Sequence, residues 1–184
     1  AAMEYKVERV RAAVRVRRRT EGEGLEGSTV SLSGTSKQNV GIKSRSGKGT
    51  LEFTVDVGFD EESTQAEVYE CVAPLVRGVA DGINTTVFAY GQTGSGKTYT
   101  MGSFAAGADC PVDNLGILPR VATRLFCRIE ELKLQHQQEA EFEKENGYDG
   151  APAEETVFTV RMTFLEIHKE VVRDLLRPDA ASIK

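Results

Sequence analysis

The stretch Gly91-Gln92-Thr93-Gly94-Ser95-Gly96-Lys97-Thr98 decides how the rest of the chain is interpreted. It matches the phosphate-loop pattern G-x-x-x-x-G-K-[ST] at every fixed position. Glycines leave room for a phosphate to reach main-chain N–H groups, which point inward as an anion nest. Lys97 offers a charge to the β- and γ-phosphates, and the Thr98 hydroxyl is placed to bind Mg²⁺. The stretch predicts a phosphate site, with a helix beginning near Gly96 that adds the positive end of its dipole.

The residues before this loop supply its context. Residues 85–90, Thr-Thr-Val-Phe-Ala-Tyr, are β-branched and aromatic and carry no charge. This composition predicts a strand buried on both faces. Strand, Gly-rich loop and helix is the order that a phosphate loop requires. The competing interpretation, a Gly-rich turn that binds nothing, does not explain the full motif together with its strand.

Bulk composition narrows the class of protein. The chain has 184 residues, 40% hydrophobic and 28% charged, which predicts one globular domain with a core of its own. No apolar run approaches the ~20 residues of a membrane span, and no signal-peptide pattern is visible, so we expect a cytosolic protein. Three cysteines, Cys71, Cys110 and Cys127, lack C-x-x-C spacing and are predicted to be reduced thiols.

Charge is distributed unevenly, although the net charge is −5. Basic residues outnumber acidic ones in the first fifty residues, mainly through arginines such as Arg15, Arg17 and Arg18, and the reverse holds afterwards. A basic arm can indicate nucleic-acid binding, but this one has no interleaved aromatics. We therefore favour a solvated strand edge or contacts to a nucleotide, and expect neither nucleic acid nor a membrane as a partner.

Periodicity predicts the elements that precede the loop. Residues 10–17 and 51–57 alternate as strands, and two short strands are expected near residues 29–32 and 40–43. Thr64 and Glu67 have the spacing of a capping box at the start of a helix with one apolar face. Pro74 should kink that helix or remove one hydrogen bond, and Gly82 is a plausible residue for its C-terminal cap.

After the loop, residues 102–116 are predicted to lack regular structure. A helix follows from Ile117, and its polar end covers residues 135–145. Residues 157–167 predict a long strand, which pairs as a hairpin with a short strand over residues 170–174 through a turn at His168 and Lys169. Glu166 is interpreted as the structural partner of an arginine. The fold class predicted is α/β, a P-loop NTPase-like three-layer sandwich with a central, mostly parallel sheet and an antiparallel hairpin.

Residues 81–102 closely resemble the phosphate-loop region of a kinesin motor domain. Residues 14–17, 116–120 and 164–176 resemble other parts of that domain, in the same order, so that the resemblance covers about residues 10–177. The chain, 1–184, is accordingly interpreted as a partial kinesin-like motor domain. Asp174 then lies at the end of a hairpin and is not a Walker B carboxylate.

The resemblance implies an ATP-binding portion of a microtubule-based motor, with ATP and Mg²⁺ as cofactors. Lys97 and Thr98 would act in catalysis, and Thr98 would bind the metal. The implied nucleotide contacts are Arg15, Arg17, Gly91, Gln92, Thr93, Gly94, Ser95, Gly96, Lys97, Thr98 and Tyr99. The family has an R-x-R-P motif beside the adenine, and Arg18 stands here in place of its proline, so an arginine plane could replace the stacking. Tyr99 would flank the base, with simple packing of the helix as the alternative.

The chain is expected to lack the family's switch I motif, N-x-x-S-S-R-S-H, and its switch II motif, D-x-x-G. The resemblance therefore covers about the N-terminal half of a motor domain, and the 184-residue chain alone is expected to turn over ATP slowly, if at all. Most contacts to the microtubule, and a homodimer or coiled coil, would involve regions outside this chain. The implied location is the cytoplasm and its cytoskeleton.

Two other functions remain open from the sequence. The first is a divergent or truncated module that binds nucleotide, or only a protein partner, without hydrolysis. The second is a different P-loop enzyme, such as a small-molecule kinase, which would need a lid rich in arginine that the sequence does not show.

Overall fold

The structure is a computed structural model that describes residues 10–19, 29–44, 49–102, 111–147 and 157–177. The chain divides into two units, Ala1–Arg128 and Ile129–Lys184, which are described separately. Within the described ranges, no helix combines the length and apolarity needed to cross a membrane. Of the three cysteines, Cys71 and Cys127 are free thiols, and Cys110 lies outside the described residues.

Among its described residues, the first unit has five short strands. They are β1 (Ala13–Arg15), β2 (Val30–Ser33), β3 (Asn39–Lys43), β4 (Thr50–Thr54) and β5 (Val57–Phe59). Strands β2, β3 and β4 make an antiparallel sheet in that order, and β1 pairs in parallel with β5. The short strands expected near residues 29–32 and 40–43 are therefore confirmed as β2 and β3. The parallel pair carries Arg15 opposite Phe59.

The prediction of a single strand over residues 51–57 is wrong, because the chain passes from one sheet to another within these residues. Strand β4 ends at Thr54, and β5 begins at Val57. Between them, the Val55 N–H donates to the Gln38 carbonyl at 2.9 Å, and the Asp56 N–H donates to the Ala12 carbonyl at 2.9 Å. The alternation of side chains continues through this transfer, so periodicity alone does not reveal it.

The first helical region begins where the capping box predicts. Helix α1 (Gln65–Glu70) has Thr64 as its N-cap, and both reciprocal bonds between Thr64 and Glu67 are present. The predicted interruption is also found: α1 stops, and α2 (Ala73–Ala80) starts anew with Pro74 in its first turn, where a missing N–H costs little. Gly82 follows α2 with φ +83°, the left-handed conformation expected at this end of a helix.

The core of the first unit lies where the apolar face of these helices meets β5 and the start of a later helix. Its buried members are Phe59, Val68, Val72 and Ile117. Val57, Cys71, Leu75, Val87, Met101 and Val121 pack against them. The helix stripe predicted from the sequence is thus the face that is buried.

The strand predicted over residues 85–90 is not paired in this structure, and the expectation that it is buried on both faces is wrong. Val87 packs on the core, whereas Phe88 is 75% exposed and Tyr90 is 95% exposed. A strand needs a neighbour that accepts its main-chain hydrogen bonds, and no described strand pairs with this segment. Only one of its two faces is therefore covered by described residues.

The remaining helices follow the phosphate loop. They are α3 (Lys97–Met101), a 3-10 turn (Val112–Asn114) and α4 (Ile117–Glu145). Gly116 lies so close to the end of α3 that a Cβ there would come within 2.6 Å of the Gly102 nitrogen. The side chains of residues 135–145 are mostly exposed, as the fading apolar stripe predicts.

The second unit contains the continuation of α4 and a hairpin of β6 (Leu165–His168) and β7 (Val171–Asp174). The turn is at Lys169 and Glu170, with φ +50° and +64°, one residue later than predicted. Glu166 and Arg173 face each other across the strands and form an ion pair at 3.6 Å, which confirms the structural role predicted for Glu166. The strand predicted from residue 157 begins only at Leu165, because residues 157–164 have no strand partner among the described residues.

Candidate nucleotide-binding site

The main chain of the phosphate loop adopts conformations that favour glycine. The φ angles are +156° at Gly91, +78° at Gly94 and +93° at Gly96. A Cβ on Gly91 would come within 2.5 Å of the Ser95 hydroxyl oxygen, whereas one on Gly94 would meet nothing within 4 Å. The loop is thus tight at its base and open at its tip. A Gly-rich loop that is open at its tip lets an anion such as a phosphate approach its main-chain N–H groups.

Lys97 lies across the base of this loop. Its Nζ donates to the main-chain oxygens of Gly91 and Gln92, each at 2.8 Å. Because an ammonium group has three donors, two fix the loop and one remains for an anion. The half-buried side chain therefore has a structural role in the loop, and its contact with a phosphate stays a prediction.

Helix α3 carries the next two predicted residues. Gly96 is its N-cap, and Thr98 lies in its first turn with an exposed side chain. The helix has only five residues, so the predicted dipole contribution is small, and the loop amides and Lys97 supply most of the positive potential. The exposed Thr98 hydroxyl is the oxygen that would bind a divalent metal here.

Arg15 is joined to α3 through a network of hydrogen bonds. Its Nη1 donates to Gln65 Oε1 at 2.7 Å and to Thr100 Oγ1 at 3.0 Å, and its Nη2 donates to the Ser63 carbonyl at 3.4 Å. Its Cζ lies 5.1 Å from the centre of the Tyr99 ring. Burial lowers the pKa of this guanidinium, and the nearby Tyr99 partly offsets the effect. The structure thus brings Arg15 to the predicted site.

Arg17 and Arg18 follow β1 and lie beside different parts of the first unit. A Cβ on Gly96 would lie 4.0 Å from the Arg17 Cβ, which places Arg17 beside the phosphate loop. Arg18 donates to the Glu61 carbonyl at 2.9 Å and pairs with the Glu62 carboxylate at 2.7 Å. The arginine plane that covers Tyr99 is therefore that of Arg15, and Arg18 fastens the segment before α1.

Tyr99 is 47% exposed, so its ring keeps a large surface open to solvent while Arg15 covers another part. Its flanking of a base stays a prediction, as do the base contacts of Arg15 and Arg17. All eleven residues predicted for the site nonetheless lie on two neighbouring segments of the first unit, the end of β1 and the loop with α3.

Sequence reasoning missed Gln65, which is 2% exposed and joins Arg15 to the Tyr99 carbonyl. A glutamine in the first turn of an amphipathic helix is usually a surface residue, so no pattern singled it out. The available signal was its place directly after a capping threonine, at the end of the loop that joins β5 to α1.

The expectation that D-x-x-G is absent was too broad, since Asp113-Asn114-Leu115-Gly116 has that spacing. In the structure Asp113 and Asn114 belong to the 3-10 turn, and Leu115 and Gly116 connect it to α4, which begins at Ile117. Arg120 donates to the carbonyls of Leu115 and Val112, at 2.9 and 3.1 Å, and the Asp113 side chain is exposed. The four residues form a turn before a helix, and no described hydrogen bond joins them to the phosphate loop.

Comparison with known proteins identifies the family. The family model of the kinesin motor domain matches residues 9–184. The kinesin-like protein KIN-4A of Oryza sativa subsp. japonica is 39% identical over 177 residues, which make up 95% of this chain and 14% of that protein. The chain therefore spans a small part of the length of this relative.

Solved kinesin structures share the fold. A fast kinesin superposes with a TM-score of 0.68 at 30% identity, over 92% of this chain and 41% of that one. The Drosophila kinesin family member Kin10/NOD, solved with divalent manganese and ADP, superposes with a TM-score of 0.63 at 27% identity, over 96% of this chain and 51% of that one. NOD has also been docked with bovine tubulin into a map of its nucleotide-free complex with the microtubule. These neighbours confirm the P-loop NTPase fold, and the chain belongs to the kinesin family, with residues 9–184 matching part of its motor domain.

Proposed function

We propose that this chain is the ATP-binding portion of a microtubule-based motor that hydrolyses ATP. The observation that carries the proposal is the phosphate loop, with three glycines at positive φ and Lys97 fixed across its base. Family membership supports it, as do the manganese and ADP held by NOD and the docking of NOD on the microtubule.

In the proposed site, the loop amides and Lys97 hold the β- and γ-phosphates and stabilise the charge that develops on them. The Thr98 hydroxyl would hold Mg²⁺, which would neutralise phosphate charge when bound. The base of the nucleotide lies between Arg15, Arg17 and Tyr99. The groups that position the attacking water are expected in the family's switch regions, and the switch I motif does not occur in this sequence.

The same proposal covers partners and location. The full-length protein would bind microtubules and act within the cytoplasmic cytoskeleton. It would associate as a homodimer through regions outside residues 1–184. The distribution of the basic residues does not favour nucleic acid, because Arg15 and Arg18 bind other residues of the first unit.

Turnover by the full-length protein tests this proposal. Lys97→Ala should abolish microtubule-stimulated ATP hydrolysis, because it removes the charge nearest the transferred phosphoryl group. Lys133→Ala is a matched control, since the described contact of Lys133 is an exposed pair with Glu130 on α4. Hydrolysis that survives in Lys97→Ala would contradict the role of this lysine, and ATP binding without any hydrolysis by the wild type would favour the non-hydrolysing module.

A further inference from the structure

Gln65 is a buried polar side chain whose hydrogen-bonding groups are all used. Its Oε1 accepts from Arg15 Nη1 at 2.7 Å, and its Nε2 donates to the main-chain oxygens of Tyr99 at 2.6 Å and Asn114 at 3.3 Å. A guanidinium only donates and a carbonyl only accepts, so the amide can be oriented in one way only. Gln65 thus joins β1, α3 and the turn before α4.

These contacts hold Tyr99 on two sides. Gln65 binds its main-chain oxygen, and Arg15, which Gln65 itself orients, covers its ring at 5.1 Å. Arg15 also donates to Thr100, the next residue of the same helix, at 3.0 Å. Without Gln65, the Tyr99 main chain would lose a hydrogen bond, and Arg15 would lose the shortest of the three that orient it over the ring.

Helix α3 depends on such external contacts because it is short. It has five residues, and among its main-chain bonds are Thr100 N–H to the Gly96 oxygen and Gly102 N–H to the Thr98 oxygen, both at 2.9 Å. A single turn of helix is not stable in isolation. Packing and hydrogen bonds from other elements must therefore hold it in place, and the most buried polar contact is that of Gln65.

We infer that Gln65 is a positioning residue of the nucleotide site, which holds Tyr99 and the end of α3 where the base of a purine nucleotide binds. The inference rests on the proposed function for the identity of the ligand, but the effect of Gln65 on α3 does not. Because Gln65 binds Tyr99, at the centre of α3, and the described bonds of Gln65 do not include one to the phosphate loop, its loss affects the base more than the phosphates.

The test uses the full-length protein with two variants and a matched control. Gln65→Leu removes all three hydrogen bonds at nearly constant volume. Gln65→Glu keeps an acceptor for Arg15, loses both donors and sets a carboxylate oxygen against the Tyr99 carbonyl, so it remains informative if the leucine variant does not fold. Gln38→Leu removes a half-buried glutamine in the turn between β2 and β3, where its side chain accepts from the Ser36 N–H at 2.8 Å.

Affinities are measured for ATP with Mg²⁺ and for inorganic tripolyphosphate with Mg²⁺. Both Gln65 variants should weaken ATP binding about tenfold and tripolyphosphate binding by less than about threefold, because both lose the two hydrogen bonds that Nε2 donates to Tyr99 and Asn114. Gln38→Leu should change neither. Gln65 variants that keep the wild-type ratio of the two affinities would overturn the inference and leave Gln65 as a core residue.

Hydrogen exchange without nucleotide separates this inference from the proposed function. The Thr100 and Gly102 amides should lose protection in both Gln65 variants and keep it in Gln38→Leu. Unchanged protection would overturn the inference. If the wild type bound neither ligand, the proposed function would fail, and lost protection would still support the effect of Gln65 on α3.

Discussion

Gly91 and Gly82 both have positive φ but different surroundings. Substituting them should therefore affect nucleotide binding in one case and stability in the other. Gly91 is in the phosphate loop at φ +156°, where a Cβ would meet the Ser95 hydroxyl at 2.5 Å. Gly82, at φ +83°, follows α2, and a Cβ there would meet nothing within 4 Å. Both resist substitution for reasons of backbone conformation, but only Gly91 is also confined by a neighbour in the loop.

Gly91→Ala should therefore lower ATP affinity by at least about tenfold, because the loop must shift to relieve the contact with Ser95. Gly82→Ala should cost about 1 kcal/mol of stability through its left-handed backbone and leave ATP affinity unchanged. Calorimetry with ATP and urea unfolding of the full-length protein measure the two effects. Equal affinity for Gly91→Ala and the wild type would contradict the close fit described for the loop.

Arg18 provides a second test at the same scale. Its side chain pairs with Glu62 at a largely exposed position, and such pairs contribute about 0–1 kcal/mol. Arg18→Ala should reduce the free energy of unfolding by no more than that and leave ATP affinity unchanged, because the guanidinium faces the segment before α1. A marked loss of ATP affinity at constant stability would show instead that Arg18 stacks on the base.

The elements around the site are held by local chemistry at their ends. In α1, the Thr64 N–H and hydroxyl both donate to the Glu67 carboxylate, at 2.7 and 3.0 Å, and these bonds lower the pKa of Glu67. A carboxylate with a lowered pKa stabilises the folded state above the pKa of the unfolded chain, about 4.3. That contribution is lost as pH falls through the folded pKa.

Two variants distinguish the stability that the helix cap contributes from the stability that depends on ionisation of Glu67. Glu67→Gln keeps an acceptor for the capping box but does not titrate, so the loss of stability in acid should become shallower while the cap survives. Thr64→Ala removes the cap and should cost about 1 kcal/mol at neutral pH. Thr123→Ala, on an exposed face of α4, is the control. Urea unfolding between about pH 3 and 7 tests both, and an unchanged pH profile in Glu67→Gln would contradict the account.

Elements could be predicted from the sequence where the cause is local. The capping box, the interruption at Pro74 and the turn of the hairpin each depend on a few neighbouring residues, and the structure contains all three. The strand predictions for residues 51–57 and 85–90 were wrong because strand pairing depends on distant segments. The phosphate loop was predicted because its chemistry requires a fixed pattern, whereas Gln65 was missed because its burial depends on how β1, α1 and α3 meet.

At the scale of the whole molecule, the described chain leaves many large apolar side chains in water. Phe88, Tyr90 and Ile167 are each at least 75% exposed, in segments whose sequences are typical of sheet interiors. Relatives of this chain are much longer, since it spans 41% of the fast kinesin structure. We therefore expect these side chains to need additional covering.

The 184-residue chain alone should consequently bind a hydrophobic dye such as ANS strongly and aggregate at low concentration. It should also show no microtubule-stimulated ATP turnover. Replacing Phe88 and Tyr90 together by serine should reduce dye binding, because it removes exposed apolar surface. Weak dye binding by the isolated wild-type chain, or turnover stimulated by microtubules, would contradict this expectation.

The central claim is that the main chain from Gly91 to Lys97 surrounds the phosphates of a nucleotide, and direct binding tests it. The full-length protein is titrated with ATP and Mg²⁺ in a calorimeter, alongside Lys97→Ala and Lys133→Ala. We predict one ATP bound per chain, an affinity lowered at least about tenfold in Lys97→Ala by the loss of a charged donor, and no change in Lys133→Ala. A folded wild-type protein that does not bind ATP, or a Lys97→Ala variant that binds it equally well, would contradict the claim.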